Sequence, residues 1–402
     1  MSICEGTVSI LDAGCVVYSR IWCIFELYKS VMGGNSDYEF DVYTEIDEDI
    51  EAVGITHGYI SIDNGKTHLK KYRESEFPLD RILQAINVDV KQAQASVESD
   101  RRFILNTITG RSSDDDVLDN HANYDVLNNI LRGIFVTPSL ERIIKERDVD
   151  TITRCLDIVK ASNARIIDLY LTNCSRFDDT ILIKLADSLP PTLTEFTLMS
   201  EGSEVTANGI NSCVGKIIEC PQLVRLDFSS NSIDYDGAKV IADALKVNHS
   251  LEKLYLSWNN IGDDGAKMIA DALKVNHSLK SLNLCSNNIT ADGAKKIADA
   301  LIVNYSLESL NLHENNIGDN GAKVIADALK DNHSLEKLDL SFNNIYDEGA
   351  KQIAQIFKVN HHLKELNLRE NKISDDGKDY LTKIEQELDY ADRDVNMWWE
   401  RY

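Results

Sequence analysis

Leucines recur every 28 residues through the second half of this chain. The string SLEKLYLSWNNIGDDGAKMIADALKVNH begins at Ser250, and close copies of it follow at the same interval. Two weaker copies begin at Ile166 and Leu193, which gives about eight repeats over 166–390. A unit of this length cannot bury its own apolar face, so the repeats must stack on one another. The recurring leucines are Leu223, Leu251, Leu279, Leu307, Leu335 and Leu363.

Each repeat reads L-x-x-L-x-L-x-x-N-x-I and then continues into a helical pattern. Leu254 and Leu256 alternate with polar residues, which predicts a short strand that buries one side. Ala238, Ile241 and Leu245 fall on one face of the following segment, which predicts an amphipathic helix. The predicted fold class is therefore α/β, a solenoid with a curved parallel sheet inside and helices outside.

One asparagine in each repeat follows the strand. Its amide can satisfy backbone groups where the chain turns, so we expect a structural ladder of asparagines. Asn248, Asn276 and Asn332 lie in N-x-[ST] sequences, but all three occupy one repeat position, which explains them without glycosylation. The predicted ladder consists of Asn231, Asn259, Asn287, Asn315, Asn343 and Asn371.

This pattern matches the leucine-rich-repeat consensus. Its 28-residue period with a full helix resembles the ribonuclease-inhibitor-like class of repeats, which is also seen in NOD-like receptors. The resemblance implies a preformed concave surface. It does not imply one activity, because this fold hosts inhibitors, receptors and GTPase activators.

Strand residues that alternate with the leucines are expected to line the concave face and to contact a partner. Aromatic residues are favoured contact sites, and Trp258 and Phe342 occupy equivalent positions three repeats apart. At the usual strand spacing this separation is roughly 14 Å. His313 is interpreted as a solvated histidine with no ligand nearby. The predicted contact residues are Arg225, Asp227, Lys253, Tyr255, Trp258, Asn283, Asn311, His313, Asp339, Phe342, Asn367 and Arg369.

The first part of the chain is predicted to be a small α/β domain. The stretch SRIWCIFEL at 19–27 resembles the S-x-W-C-x-x-E-L motif of TIR domains. In TIR enzymes the matching glutamate takes part in NAD cleavage, which makes Glu26 a candidate catalytic residue. The alternative is a surface or capping carboxylate on an amphipathic helix. The strand, helix and glycine-containing loop that precede this motif in the family are missing from the 18 residues before it.

Five segments follow from these patterns. Residues 1–110 form an incomplete TIR-like domain, 111–124 an acidic linker and 125–165 a helical cap. Residues 166–390 form the repeats, and 391–402 form a C-terminal cap. The sequence NGKT at 64–67 is interpreted as a turn, because the first glycine of a phosphate loop would fall at Ile60.

The formal net charge is −24, which disfavours nucleic acid and anionic membranes and favours a partner with a basic surface. The eight cysteines are scattered without a C-x-x-C pair, which indicates reduced thiols in a cytoplasmic protein. Neither a cofactor nor a metal site is predicted. No apolar run approaches the 18 residues typical of a membrane span, and no signal peptide is recognised.

The favoured function is a non-enzymatic scaffold that binds a protein partner on the concave face. Two alternatives stay open. Similar repeats build GTPase activators of the Ran type, and Glu26 would serve in a TIR-like NAD hydrolase.

Overall fold

A computed structural model describes strands at 6–11, 39–44 and 53–55, together with residues 79–95, 97–390 and 396–399. The chain divides into two units, 1–167 and 168–402. Among the described helices, none is long and apolar enough to cross a bilayer.

The first unit contains a three-stranded sheet. Strand β1 (Gly6–Leu11) pairs in parallel with β2 (Glu39–Thr44), and β2 pairs antiparallel with β3 (Val53–Ile55). The motif at 19–27, and Glu26 with it, lies outside the described residues. The TIR-like domain therefore stays a prediction.

The described residues from 79 to 161 of the first unit contain four helices. A 3-10 turn, Val90–Gln92, separates the first two of them. Lys91 forms an ion pair with Asp119 at 3.3 Å, so the predicted acidic linker is tied back to this turn. The helices are α1 (Leu79–Ala85), α2 (Glu98–Thr109), α3 (Ala122–Glu146) and α4 (Val149–Ala161).

Helix α3 begins at Ala122, three residues before the predicted boundary of the cap. The start is set by His121, whose Nδ1 accepts a hydrogen bond from the backbone N–H of Asn123 at 3.1 Å. A side chain that accepts from a first-turn N–H satisfies a donor that has no partner within the helix.

The second unit confirms the predicted α/β leucine-rich-repeat solenoid. Nine strands form one sheet in sequential order, and every pair from β5 to β12 is parallel. The strands are β4 (Ile166–Tyr170), β5 (Glu195–Met199), β6 (Arg225–Asp227), β7 (Lys253–Tyr255), β8 (Ser281–Asn283), β9 (Ser309–Asn311), β10 (Lys337–Asp339), β11 (Glu365–Asn367) and β12 (Asn396–Trp398).

A helix follows each of the strands β4 to β11. The last complete repeat differs slightly, because its helix α11 continues as a 3-10 turn, Gln355–Lys358. The helices are α5 (Asp179–Asp187), α6 (Ala207–Ile218), α7 (Tyr235–Leu245), α8 (Gly262–Leu273), α9 (Ala291–Leu301), α10 (Gly318–Leu329), α11 (Asp347–Ala354) and α12 (Asp375–Tyr390).

The leucines of each strand and the apolar stripe of each helix form the core. In one repeat Leu254, Leu256, Ala266 and Ile269 are all fully buried. The middle residue of each three-residue strand therefore faces the core, and its two neighbours face the other side of the sheet. Truncating one such leucine costs about 3–5 kcal/mol in well-packed proteins.

Side chains of the predicted asparagine ladder bridge neighbouring repeats. The Nδ2 of Asn259 donates to the carbonyl oxygen of Phe228 at 2.9 Å, and its Oδ1 accepts from the N–H of Ile233 at 2.8 Å. Each amide thus satisfies backbone groups of its own repeat and of the preceding one.

A second ladder, which the sequence analysis missed, lies between each helix and the next strand. Asn304 donates to the carbonyl oxygen of Leu273 at 2.8 Å and accepts from the N–H of Leu307 at 2.9 Å. The side chains of Asn276 and Asn332 are also buried, and each donates to a backbone carbonyl oxygen of the preceding repeat. These asparagines are therefore part of the core. The second ladder consists of Asn248, Asn276, Asn304, Asn332 and Asn360.

Aspartates at some helix starts join neighbouring repeats. The carboxylate of Asp263 accepts from the backbone N–H and the hydroxyl of Thr290, both at 2.7 Å. Asp347 makes the same pair of bonds to Ser374. The Ser374 hydroxyl, followed by its N–H, lowers the pKa of the Asp347 carboxyl from its usual value.

Candidate binding face of the repeats

The face of the sheet that turns away from the helices is called here the open face. It carries the first and third residues of strands β6 to β11, together with the second and third residues after each strand; the residue in between, which directly follows the strand, is buried in the core. In-register pairing aligns these residues in columns, so that Tyr255 pairs with Asn283 and Asn283 with Asn311. Equivalent residues of adjacent repeats therefore stand about 4.8 Å apart.

Three columns contain most of the predicted contact residues. The strand-end column is the third strand residue: Asp227, Tyr255, Asn283, Asn311, Asp339 and Asn367. The middle column lies two residues later: Ser229, Ser257, Cys285, His313, Ser341 and Arg369. The exit column follows the middle column directly: Ser230, Trp258, Ser286, Glu314, Phe342 and Glu370.

Most members of the strand-end column have a local structural role. The Oδ1 of Asn283 accepts from the N–H of Cys285 at 2.9 Å, and that of Asn311 accepts from His313 at 2.8 Å. A side-chain oxygen that accepts from the N–H two residues later stabilises a turn. The same bond is made by Asp227, Asp339 and Asn367.

Tyr255 is the exception in this column, because a phenol cannot make the bond that a carboxylate or amide makes there. Its ring lies under the guanidinium of Arg225, with 5.1 Å between Cζ and the ring centroid. Arg225 is itself held by Asp227 at 3.1 Å and by the hydroxyl of Thr197 at 3.0 Å. The tyrosine therefore presents a positioned, partly exposed ring where its neighbours present a turn-forming group.

Every member of the exit column has a left-handed backbone, with φ between 51° and 57°. This conformation costs roughly 1–2 kcal/mol for a residue with a Cβ, and bulky residues seldom adopt it. Trp258 and Phe342 adopt it nevertheless, and their side chains are 58% and 47% exposed. Two large apolar side chains thus occupy a backbone position that favours small or polar residues.

The interpretation of His313 as a histidine without ligands nearby is wrong. The 28-residue register brings it beside Cys285 of the preceding repeat and Ser341 of the following one. Its Nδ1 lies 2.6 Å from Ser341 Oγ, and its ring contacts that of Phe342 at a centroid distance of 5.1 Å. The sequence reveals these neighbours of His313 only when residues 28 positions apart are aligned.

Two ion pairs neutralise part of the charge that lies on the open face. Arg225 pairs with Asp227, and Lys337 pairs with Glu365 at 2.7 Å. Arg369 lies over the ring of Trp398 at 5.9 Å, and Lys253 is exposed. The two central strands between these groups present only the uncharged polar residues Ser281, Asn283, Ser309 and Asn311, and Glu314 of the exit column is the charged side chain beside them.

The described cysteines are free thiols. Burial raises the pKa of the Cys155, Cys213 and Cys220 thiols to about 11, and burial also raises the pKa of the Cys285 thiol. Cys285 is the one that lies in a column of the open face.

Comparisons with known proteins agree with the repeat architecture. Residues 230–344 match the TMOD/LMOD leucine-rich domain, and residues 359–378 match a leucine-rich repeat. The fold and these matches define the second unit as a leucine-rich-repeat domain. No curated protein matches the chain.

Two similar solved structures show the extent of the likeness. "Leiomodin-1 Actin-Binding Site 2 (ABS2)" is 21% identical with a TM-score of 0.31, and the match covers 46% of this chain and 95% of that one. A tropomodulin C-terminal domain from Caenorhabditis elegans is 16% identical with a TM-score of 0.32, and the match covers 39% and 93%.

Proposed function

We propose that the open face binds a protein partner, with Tyr255, Trp258 and Phe342 as its principal contact residues. One observation carries this proposal: each aromatic side chain replaces a residue that suits the fold better at that position. Tyr255 lacks the side-chain oxygen that accepts a turn-stabilising hydrogen bond in the other members of its column. Trp258 and Phe342 adopt a left-handed backbone. The stability of the fold does not explain why these three positions hold aromatic residues. Exposed aromatic residues are typical of binding surfaces.

The chemistry of the open face indicates what kind of protein surface would fit it. Tyr255 and Trp258 lie at one end, Phe342 lies three repeats away, and polar side chains that include Glu314 lie between them. A complementary surface presents two apolar patches roughly 14 Å apart, flanked by hydrogen-bonding groups. The net charge of −24 attracts a basic protein at long range, while the contacts themselves are aromatic and polar.

A binding role also agrees with the matched family, because leucine-rich domains of this type are non-enzymatic binding modules. The rigid sheet favours binding, since a preformed surface loses little conformational entropy on association. The GTPase-activator alternative and the NAD-hydrolase alternative at Glu26 stay predictions.

A variant that restores the residues of neighbouring repeats tests the proposal. Tyr255→Asn, Trp258→Ser and Phe342→Ser each introduce a residue already present in the same column, so the repeats keep their fold. The matched control is Tyr305→His. Tyr305 is 64% exposed, and the equivalent residues of neighbouring repeats are histidines.

Full-length chains carrying either change are used to capture proteins from an extract of the source cells, with quantitative mass spectrometry as the readout. We expect a set of proteins that the wild type and the Tyr305→His control retain and that the triple variant loses. Capture of the same proteins in the same amounts by all three chains contradicts the proposal.

A further inference from the structure

The middle and exit columns bring three potential metal ligands together. Cys285 and His313 hold equivalent positions in adjacent repeats, and Glu314 follows His313. The Cys285 Sγ, a ring nitrogen of His313 and a carboxylate oxygen of Glu314 all lie within 4.8 Å of one another. Thiolate, imidazole and carboxylate are the three ligand types that proteins use for Zn²⁺.

Hydrogen bonds behind His313 determine which ring nitrogen is available. The Ser341 hydroxyl donates its single proton to the carboxylate of Asp339, so Ser341 Oγ can only accept from its other neighbours. His313 Nδ1, at 2.6 Å, must therefore carry the proton that it donates to Ser341. In the neutral ring this leaves the lone pair on Nε2, which lies 3.9 Å from Oε2 of Glu314.

This arrangement is what metal-binding histidines require. Such a histidine usually donates its other ring N–H to a fixed acceptor, which sets both the tautomer and the ring orientation. Here Ser341 and Asp339 supply that acceptor, and the ring of Phe342 packs edge-on against the imidazole.

The other two ligands are also held in place. The Ser286 hydroxyl donates to Glu314 Oε2 at 2.6 Å, and the Cys285 Sγ lies 3.3 Å from the same hydroxyl oxygen. The backbone of Cys285 is held by Asn283, whose Oδ1 accepts its N–H. Ser286 thus links the thiol to the carboxylate, so the two groups share one local network.

We propose that Cys285, His313 and Glu314 form a Zn²⁺ site on the open face. Zinc–ligand bonds of 2.0–2.3 Å in a tetrahedron place ligand atoms about 3.3–3.6 Å apart. The three ligand atoms lie within 4.8 Å of one another, so side-chain rotations that shorten their separations by at most about 1.5 Å bring them to that spacing. The thiol proton leaves to solvent when the Zn–S bond forms, as thiolate ligation requires.

The fourth coordination position is left to water or to a ligand from outside the chain, as in zinc sites with three protein ligands. Ser286 and Glu314 lie between Trp258 and Phe342 in the exit column, so the ion would face the same surface as the aromatic anchors. The site does not depend on the proposed function, because metal binding is measured without a partner.

Substitutions that restore the column residues provide the test. Serine occupies the middle column at 229, 257 and 341, so Cys285→Ser and His313→Ser preserve the repeat. Cys220→Ser removes a thiol that is not part of the cluster and serves as the matched control. Zn²⁺ affinity of the full-length chain is measured by competition with a chromogenic chelator, and Co²⁺ is substituted for absorption spectroscopy.

We expect the wild type and Cys220→Ser to bind one more Zn²⁺ per chain than Cys285→Ser or His313→Ser. The Co²⁺ difference spectrum between the wild type and Cys285→Ser should show thiolate-to-metal charge transfer and a tetrahedral d–d band. Equal Zn²⁺ stoichiometry and affinity in Cys285→Ser and Cys220→Ser, or a difference spectrum without the charge-transfer band, overturns the proposal. Melting temperatures within a few degrees of the wild type confirm that each variant is folded.

Discussion

Trp258 and Phe342 both have a φ of 55° at equivalent positions three repeats apart. The left-handed backbone is a property of the column, since Ser230 and Ser286 share it, so the repeat geometry imposes it on whichever residue is present. An exposed indole there contributes little to the core and destabilises the backbone. The binding role proposed for Trp258 and the stability of the fold therefore place opposite demands on this position.

The first prediction concerns this opposition. Trp258→Gly should raise the free energy of unfolding by about 1 kcal/mol, because glycine adopts a positive φ without strain. Urea unfolding followed by circular dichroism measures the change. Ser230→Gly is the matched control, because it relieves the same backbone conformation without removing an aromatic ring. A loss of stability in Trp258→Gly alone would show that the indole has a structural role.

The second prediction concerns the ladder after the strands. Asn259→Ala should lower the free energy of unfolding by about 2–3 kcal/mol, because it leaves buried backbone groups without partners. The neighbouring Asn260→Ala removes an exposed side chain whose Oδ1 accepts from the side-chain amide of Asn288, and it should cost under about 1 kcal/mol. Equal losses in the two variants would contradict the structural role of the ladder.

The third prediction concerns pH. The Ser374 hydroxyl and N–H lower the pKa of the Asp347 carboxyl in the folded state, so the ionised form stabilises the fold. This contribution is present above the unfolded value of 3.8 and is lost as the pH falls through the folded value.

Asp347→Asn should therefore destabilise the protein at pH 7, by about 1 kcal/mol for the weakened hydrogen bonds to Ser374, and the difference from the wild type should shrink below pH 4. Thermal unfolding at a series of pH values measures it. Asp264→Asn, which changes an exposed aspartate in the first turn of α8, is the control. A difference that is the same at pH 3 and pH 7 would exclude the carboxylate as its cause.

The sequence predicted the repeated unit well, because each short strand, turn and helix is encoded by its own 28 residues. Leu254 and Ile269 show this, since periodicity alone assigns both to the core and both are buried. Asn259 is a second example. The sequence predicts that its amide bonds to backbone groups where the chain turns, and it does so.

Contacts between columns were harder to predict. The neighbours of His313 depend on strand register, which aligns residues 28 positions apart, and no local pattern at 311–315 indicates Cys285. The left-handed backbone of Trp258 could not be predicted either, because tryptophan seldom adopts that conformation. The strand-end bonds of Asn283 and Asn311 were missed because the same residue types are equally typical of a polar binding surface.

The most direct test of the central claim is the equilibrium affinity of the full-length chain for a captured partner. Isothermal titration compares the wild type, Tyr305→His and the triple variant Tyr255→Asn/Trp258→Ser/Phe342→Ser. If the three aromatic residues anchor the partner, the triple variant should bind at least about 30-fold more weakly, as expected when a hot-spot contribution of 2 kcal/mol or more is lost. Tyr305→His should bind as the wild type does. Affinities within about twofold for all three chains would contradict the claim.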